Sequence, residues 1–372
     1  MLTLAPPPLV TVEKITPPVT GYARPLESTS GMGWWTQNGF FYKGTIRQAP
    51  KFEQAYDSTS SVSHGYLVCL TKTGTLVWDP IRGVSREFPR LWTGLNPLGP
   101  DKGLNFLSSQ VDAGGAPIGF RNSPWQYRQN DPRPAVPMRG RQRLAVPPLT
   151  LSGYYAAIYA PPKGRLLAGT LVFRRKGSQA TDPSTWMPTD RACLWTDDRK
   201  VPKLLPLLPG AGGSTAWGLN SGGDVIGTMS GVGSVVWRRS GRIEVIPTSH
   251  PLRLRPSLEP GNEAYTWRSQ FPFLITEDGL VIAREGTYGQ GMYVRMVWDG
   301  QTSIPMTEAI EGEGASGFSR VIHRENGIDY RLGGEVLLSQ DGKSLLVGGG
   351  ETSHAWYRLR RRTVVSDSLT GG

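Results

Sequence analysis

Acid–base and nucleophilic chemistry would have to be built here from few residues. The chain has 372 residues, with four histidines and two cysteines. His64, His250, His323 and His354 fall in different copies of a repeat set out below. His354 reads as part of the repeat's framework and the others as loop residues. A catalytic serine or cysteine needs a base beside it, and no Gly-x-Ser-x-Gly elbow leads from a strand into a helix. Two carboxylate pairs, Asp197-Asp198 and Glu311-x-Glu313, are the groups that could hydrolyse a glycoside. The first lies in a turn and the second in a long loop, so solvated charges are expected at both. Asp278 and Asp341 each precede a glycine, a pairing that suits a hairpin turn. Gly212-Gly213-Ser214 lacks the Gly-Lys-Ser/Thr ending and the following helix of a phosphate loop. Cys69 and Cys193 sit in strands of different copies and are expected to be buried free thiols. No metal-ligand spacing occurs. The expectation is a chain with no catalytic residues, no metal and no cofactor.

Arginine and aromatic side chains are plentiful. Lys and Arg number 41 against 30 Asp and Glu, a formal net charge of +11, which favours acidic partners or surfaces. In the long irregular stretches basic and aromatic residues occur together. They are Arg121, Trp125, Tyr127 and Arg128; Arg174, Arg175 and Trp186; Arg253, Arg255, Tyr265, Trp267 and Arg268; and Arg320, Arg324, Tyr330 and Arg331. Such mixtures are favoured where a surface binds, and they suit an acidic glycan, nucleic acid or an acidic protein patch. The alternative is that the aromatics only pack the loops onto the domain. The densest basic run, Arg358-x-Arg360-Arg361-Arg362, reads as an exposed turn after the Trp356 strand, with an anionic contact as its competing role.

The elements that must position these residues are short strands. Ala216 to Pro247 gives the clearest unit: Ala216–Leu219, a turn at Asn220–Gly223, Asp224–Gly227, then Ser234–Trp237, a turn at Arg238–Gly241, and Arg242–Ile246. The last run alternates with period two and Pro247 ends it. One such sheet leaves both faces bare and needs neighbours of its own kind. The strand–turn–strand mark recurs at Phe273–Ile282 and Leu338–Gly348, and the Trp-bearing third strand at Trp78, Trp195, Trp298 and Trp356. Gly222, Gly279 and Gly342 repeat at roughly 60 residues, longer than the ~40–50 of a compact propeller blade because the loops are long. The expected fold is all-β, a single β-propeller of four-stranded blades, six in number with seven as the alternative. Trp34–Tyr42 and Thr75–Asp79 are taken together as the first blade, with residues 44–64 as an insertion. The weakest copy, from Gln110, has Met138-Arg139-Gly140 where the others carry Trp. Each third-strand Trp is expected to pack between blades.

Residues 1–8 read as a Pro-rich tail and 9–369 as the propeller domain. Leu9–Ile15 is a strand that could close the last blade, a place for which Thr363–Leu369 competes. Glu308–Glu311 is the one helical turn foreseen. The short turns and the long loops fall into different connection classes, so the long loops are expected to gather on one face. That basic and aromatic face is the expected binding surface, for a protein or an anionic polymer, glycan or nucleic acid. The alternative is a carbohydrate-active propeller enzyme. Met1–Pro8 has neither a positive n-region nor an apolar h-region, so no signal peptide is expected, and no run is long enough for a membrane span.

The repeat resembles the HAF repeat of extracellular bacterial β-propellers. Leu219-Asn220-Ser221-Gly222-Gly223-Asp224-Val225-Ile226-Gly227 matches its first half, and Ser353-His354-Ala355-Trp356 its second. Arg191-Ala192-Cys193-Leu194-Trp195 keeps the Ala and Trp without the His. The likeness covers residues 150–365 most clearly. It implies a propeller and an extracellular location, with no implied activity or functional residues.

Overall fold

A computed structural model describes residues 9–19, 23–28, 31–36, 39–48, 61–70, 74–89, 91, 110–121, 136–147, 158–173, 189–248, 268–287, 292–316, 336–348 and 355–362. These residues form seven sheets set around an axis, a β-propeller. Strand β1 (Val10–Ile15) comes first and is used last. Blade 1 is β2 (Arg24–Ser28), β3 (Gly31–Thr36), β4 (Gly39–Tyr42) and β5 (Thr45–Arg47). Blade 2 is β6 (Ser61–Ser63), β7 (Tyr66–Leu70), β8 (Gly74–Asp79) and β9 (Val84–Pro89). Blade 3 is β10 (Ile118–Phe120), β11 (Pro137–Arg139) and β12 (Gln142–Arg143), with an inner strand reduced to the bridge between Val111 and Pro117. Blade 4 is β13 (Ile158–Tyr159), β14 (Leu167–Phe173), β15 (Thr189–Trp195) and β16 (Lys203–Leu204). Blade 5 is β17 (Ser214–Leu219), β18 (Val225–Met229), β19 (Gly233–Trp237) and β20 (Ile243–Val245). Blade 6 is β21 (Arg268–Ile275), β22 (Val281–Thr287), β23 (Met292–Trp298) and β24 (Ser303–Pro305).

Strand β25 (Ile310–Glu311) lies at the outer edge of blade 7, whose inner strands are β26 (Val336–Leu338), β27 (Ser344–Gly348) and β28 (Trp356–Arg361). Its fourth strand is β1, antiparallel to β28 from Val10 opposite Arg361 to Ile15 opposite Trp356. The N-terminal strand therefore closes the ring; the competing stretch 363–369 lies outside the described residues. The expected helical turn at 308–311 is instead a turn followed by β25, which pairs parallel with β1.

The ring has seven blades, the alternative to the six expected first. Trp34–Tyr42 and Thr75–Asp79 belong to two blades, and residues 44–64 carry the outer strand of one and the inner strand of the next. Tyr42 ends the third strand of blade 1 before the Lys43-Gly44 turn, where Lys43 has φ 47°. Without a Trp there, the blade lacked its mark.

The core is divided as the blades are. Each interface holds one apolar wedge, and third-strand tryptophans pack into five of the seven, between blades as expected. Trp78 packs with Leu26 and Phe40 of blade 1, Trp195 with Ile118 and Phe120 of blade 3, and Trp237 with Ala168 and Ala192 of blade 4. Trp298 packs with Ile226 and Val236 of blade 5, and Trp356 with Ala23 and Trp34 beside blade 1. Middle strands meet a neighbour on both faces, so β18 and β19 are almost wholly buried, while outer β9 is largely exposed. That is why middle strands read as continuous apolar runs. Trp195 and Trp237 also donate their indole N–H, each at 2.8 Å, to Ala145 and Pro206 in the segments arriving from the preceding blade. A side chain at Gly227 would overlap the Trp237 ring and the backbone of Thr215, which explains the glycine at this position of blade 5. No helix among the described residues is long and apolar enough to cross a membrane.

Candidate functional site

The inner strands of all blades converge on one axial cavity of about 410 Å³, within the ~300–1,000 Å³ range of ligand pockets. Blades 1 to 3 contribute Arg24–Glu27, His64-Gly65 and Gln110; blades 4 to 6 contribute Tyr159, Trp217–Leu219 and Phe273–Ile275; blade 7 contributes Val336–Ser339.

The turns between first and second strands close one end. In blades 5, 6 and 7 the turn begins with a buried side chain that caps it: Asn220 Oδ1 accepts from Asp224 N at 2.9 Å, Thr276 Oγ1 from Leu280 N at 3.0 Å, and Ser339 Oγ from Ser344 N at 2.9 Å. The turns then bond to one another. Lys163 N donates to Ser221 Oγ (2.9 Å), Ser221 N and Oγ to Glu277 Oε1 (2.9 and 2.7 Å), Glu277 N to Gly342 O (2.9 Å), and Gln340 N to Glu27 O (3.2 Å). These bonds tie blades 4, 5, 6, 7 and 1 in sequence. At Gly342, which has φ 75°, a Cβ would meet Glu277 and, at 2.9 Å, Pro162 of blade 4 across the ring. The turns therefore meet over the axis and the cavity is blind at this end.

The walls differ around the ring. Tyr159, Trp217 and Phe273 form an aromatic arc on blades 4 to 6, facing Arg24, His64 and Gln110 on blades 1 to 3. His64 occupies the left-handed region, φ 49°, in the turn with Gly65, a conformation that costs a residue with a side chain on the order of 1 kcal/mol. Burial lowers its pKa, with a hydrogen bond to the Val111 backbone and the charge of Asp112 acting the other way, so the imidazole is neutral at pH 7. Burial raises the Tyr159 hydroxyl. Glu27 bridges Arg358 at 3.0 Å.

Two of the foreseen binding residues fall among the described ones. Arg121 is exposed at the end of β10, its N–H donating to Val136 O at 2.9 Å, and Arg268 opens β21 opposite Thr287. Both stand where chain enters or leaves the long loops, on the face opposite the bonded turns, but three blades apart. Trp125, Arg128, Arg174, Arg175, Trp186, Arg253, Arg255, Trp267, Arg324 and Arg331 lie outside the described residues.

Other charged residues take structural roles. The run from Arg358 is strand β28 and its end, a correction to the expected turn. Its guanidinium groups are engaged: Arg358 by Glu13 and Glu27, Arg360 by Ser344, Arg361 by the carbonyls of Asp278 and Asp299, and Arg362 by Glu311. Arg238 bridges Asp224 (2.9 Å) and Glu244 (2.6 Å) and lies 5.5 Å over the Trp298 ring. Asp197 is exposed and accepts from Arg199 N, as a solvated turn residue does. Asp198 is buried, a second correction, because Arg139 of blade 3 reaches it at 2.7 Å. Cys69 and Cys193 are buried and free, and burial pushes the Cys69 thiol up to about 12. Sequence reasoning missed the axial residues because lining an axis needs the ring, and a period-two pattern shows only which face of a strand a residue takes.

No family model matches the chain, and no curated protein does. Among solved structures it is similar to an oligogalacturonate lyase in complex with manganese (11% identity, TM-score 0.40, 95% of this chain and 98% of that one). It is also similar to YCF48 bound to D1 peptide (11%, TM-score 0.40, 95% and 97%). A third is the extracellular domain of a hybrid two-component system from B. thetaiotaomicron (13%, TM-score 0.37, 94% of this chain). The chain spans 40% of the length of that last protein.

Proposed function

We propose that this chain is a non-catalytic binding propeller whose ligand approaches from the long-loop face. The observation that supports it is the cavity's closed end: the bonded turns bar the axis on one side, so access is left to the side of the basic and aromatic loops. On this reading those loops grip a protein or an anionic polymer, and the cavity receives part of it. The resemblance to HAF-repeat propellers belongs to the same proposal. Glycoside hydrolysis needs two carboxylates about the scissile bond. Among the described residues Glu27 is the carboxylate lining the cavity, and it is held by Arg358; this favours binding over turnover.

The test is retention on heparin–agarose, read as the salt concentration of elution. R253E/R255E on the long-loop side should elute at lower salt, because lost charge contacts are screened contacts. R239E on the short-turn face should elute with the parent chain. Arg239 is the right control, since it is exposed whereas Arg238 holds its blade together. A shift in R239E alone would place the binding face on the wrong side.

A further inference from the structure

We infer that the axial cavity accommodates a sugar ring, stacked on Trp217 and Phe273. This rests on the reading that ligand enters the cavity, and names what it takes.

The register of the inner strands carries the inference. On β17 Ala216 pairs with Gly227 and Gly218 with Ile226, so Trp217 is left over. On β21 Pro272 pairs with Ala283 and Leu274 with Ile282, so Phe273 is left over. Both bulges fall two residues before the last residue of the strand, in adjacent blades, and both extra residues are large aromatics lining the cavity. The repeat does not require them. In blade 4 Ile158 and Tyr159 pair with Gly169 and Ala168 without a shift, and in blade 7 Val336 to Leu338 pair in register with Val347 to Leu345. A bulge costs ladder bonds and re-aims a side chain. Two at one place point to the aromatics as its purpose.

The rings are held before any ligand arrives. Trp217 Nε1 donates to Thr228 Oγ1 at 3.2 Å, and Phe271 meets the indole edge-on at 6.1 Å. The Arg284 guanidinium lies 5.2 Å over Phe273. Held rings bind without losing rotamer freedom. Across the cavity stand Arg24, His64 and Gln110, all hydrogen-bonding side chains. One side of the cavity is thus mainly aromatic, and the other mixes these polar residues with Pro25 and Leu26. A pyranose has the matching shape, with C–H faces that stack on aromatic rings and hydroxyls around its edge.

The experiment is ligand-detected saturation-transfer NMR on the full chain, with a panel of neutral and acidic mono- and disaccharides and, in parallel, nucleosides and aromatic carboxylates. A sugar should bind through its C–H face. W217A and F273A should each weaken it at least about tenfold, and W217F, which keeps a stacking ring, should stay within about threefold. Binding of W217F also shows that loss in W217A is not misfolding. If no sugar binds but a nucleoside or aromatic acid does, and W217A abolishes that binding, the sugar assignment fails and the cavity reading stands. If bound ligands are indifferent to Trp217 and Phe273, or no probe of any class binds, both fail.

Discussion

Blades 5 and 3 solve one packing problem in different ways. In blade 5 Trp237 ends the third strand opposite Val225 and fills the wedge against blade 4. On the other face of that strand Val236 packs into the wedge against blade 6. In blade 3 the residue at the Trp place is Gly140, with φ 56°, its N–H bonded to Pro117 O. Phe88, from the outer strand of blade 2, reaches in beside it. The residue at the place of Val236 is Arg139, 6% exposed, bridging Asp198 of blade 4 and Asp112 of its own turn. A blade interface can thus be closed by an indole from within or a phenyl from next door, and faced by an aliphatic or a buried ion cluster. What repeats is the set of positions, and the residues filling them are exchangeable.

The largest effect should come from breaking the apolar solution. W237A leaves a void that both blades frame and should cost about 3–5 kcal/mol, read by urea unfolding. Removing the ionic solution should cost somewhat less. R139A leaves buried Asp198 only the exposed Arg165, at 3.9 Å, a loss on the order of 3 kcal/mol, whereas R139V/D198A removes both charges and should recover much of it. A double variant no better than the single would mean that the ion cluster contributes more than mutual neutralisation. F88A should cost about 2 kcal/mol, because Phe88 is only partly buried and its wedge is small. If it costs nothing, Phe88 does not stand in for the missing tryptophan.

The smallest effect sharpens the comparison through pH. Asp190, whose backbone lies against Gly213 at the interface of blades 4 and 5, is half-buried, with one carboxylate oxygen shut away from solvent and lacking a hydrogen-bond donor. Burial alone pushes its pKa up to about 6. The folded chain therefore holds a proton there that the unfolded chain releases near pH 4. The acid destabilises the fold at pH 7, and this penalty fades as pH falls through 6. D190N should be more stable than the parent at pH 7 by on the order of 1 kcal/mol, with the gap shrinking below pH 6 and closing near pH 4. A constant gap would show that the carboxylate is not desolvated.

Much of the fold was legible in sequence, and the comparison shows why the rest was not. Trp195, Trp237 and Trp298, with the Asn220, Thr276 and Ser339 turns, announce their blades because a bulky wedge and a tight turn leave little choice of residue. Blade 1 ends its third strand on Tyr42 and was read as half of its neighbour. Arg139 signalled itself as a charge in an apolar strand, but its partner lies some sixty positions on and is seen only once blades 3 and 4 meet. The cavity was illegible for a similar reason. Trp217 reads as one more core aromatic until the register shows it to be the extra residue of a bulge.

The central claim, that ligand occupies the axis and leaves the blade interfaces alone, is tested most directly by fluorine NMR of fluorotryptophan-labelled protein. Resonances are assigned by single Trp→Phe variants, and the sample is titrated with the tightest-binding sugar of the panel. The account predicts that the Trp217 signal moves with saturation while those of Trp78, Trp195 and Trp237, in wedges that Trp217 does not touch, hold still. Movement of the interface tryptophans with Trp217 unchanged would contradict it.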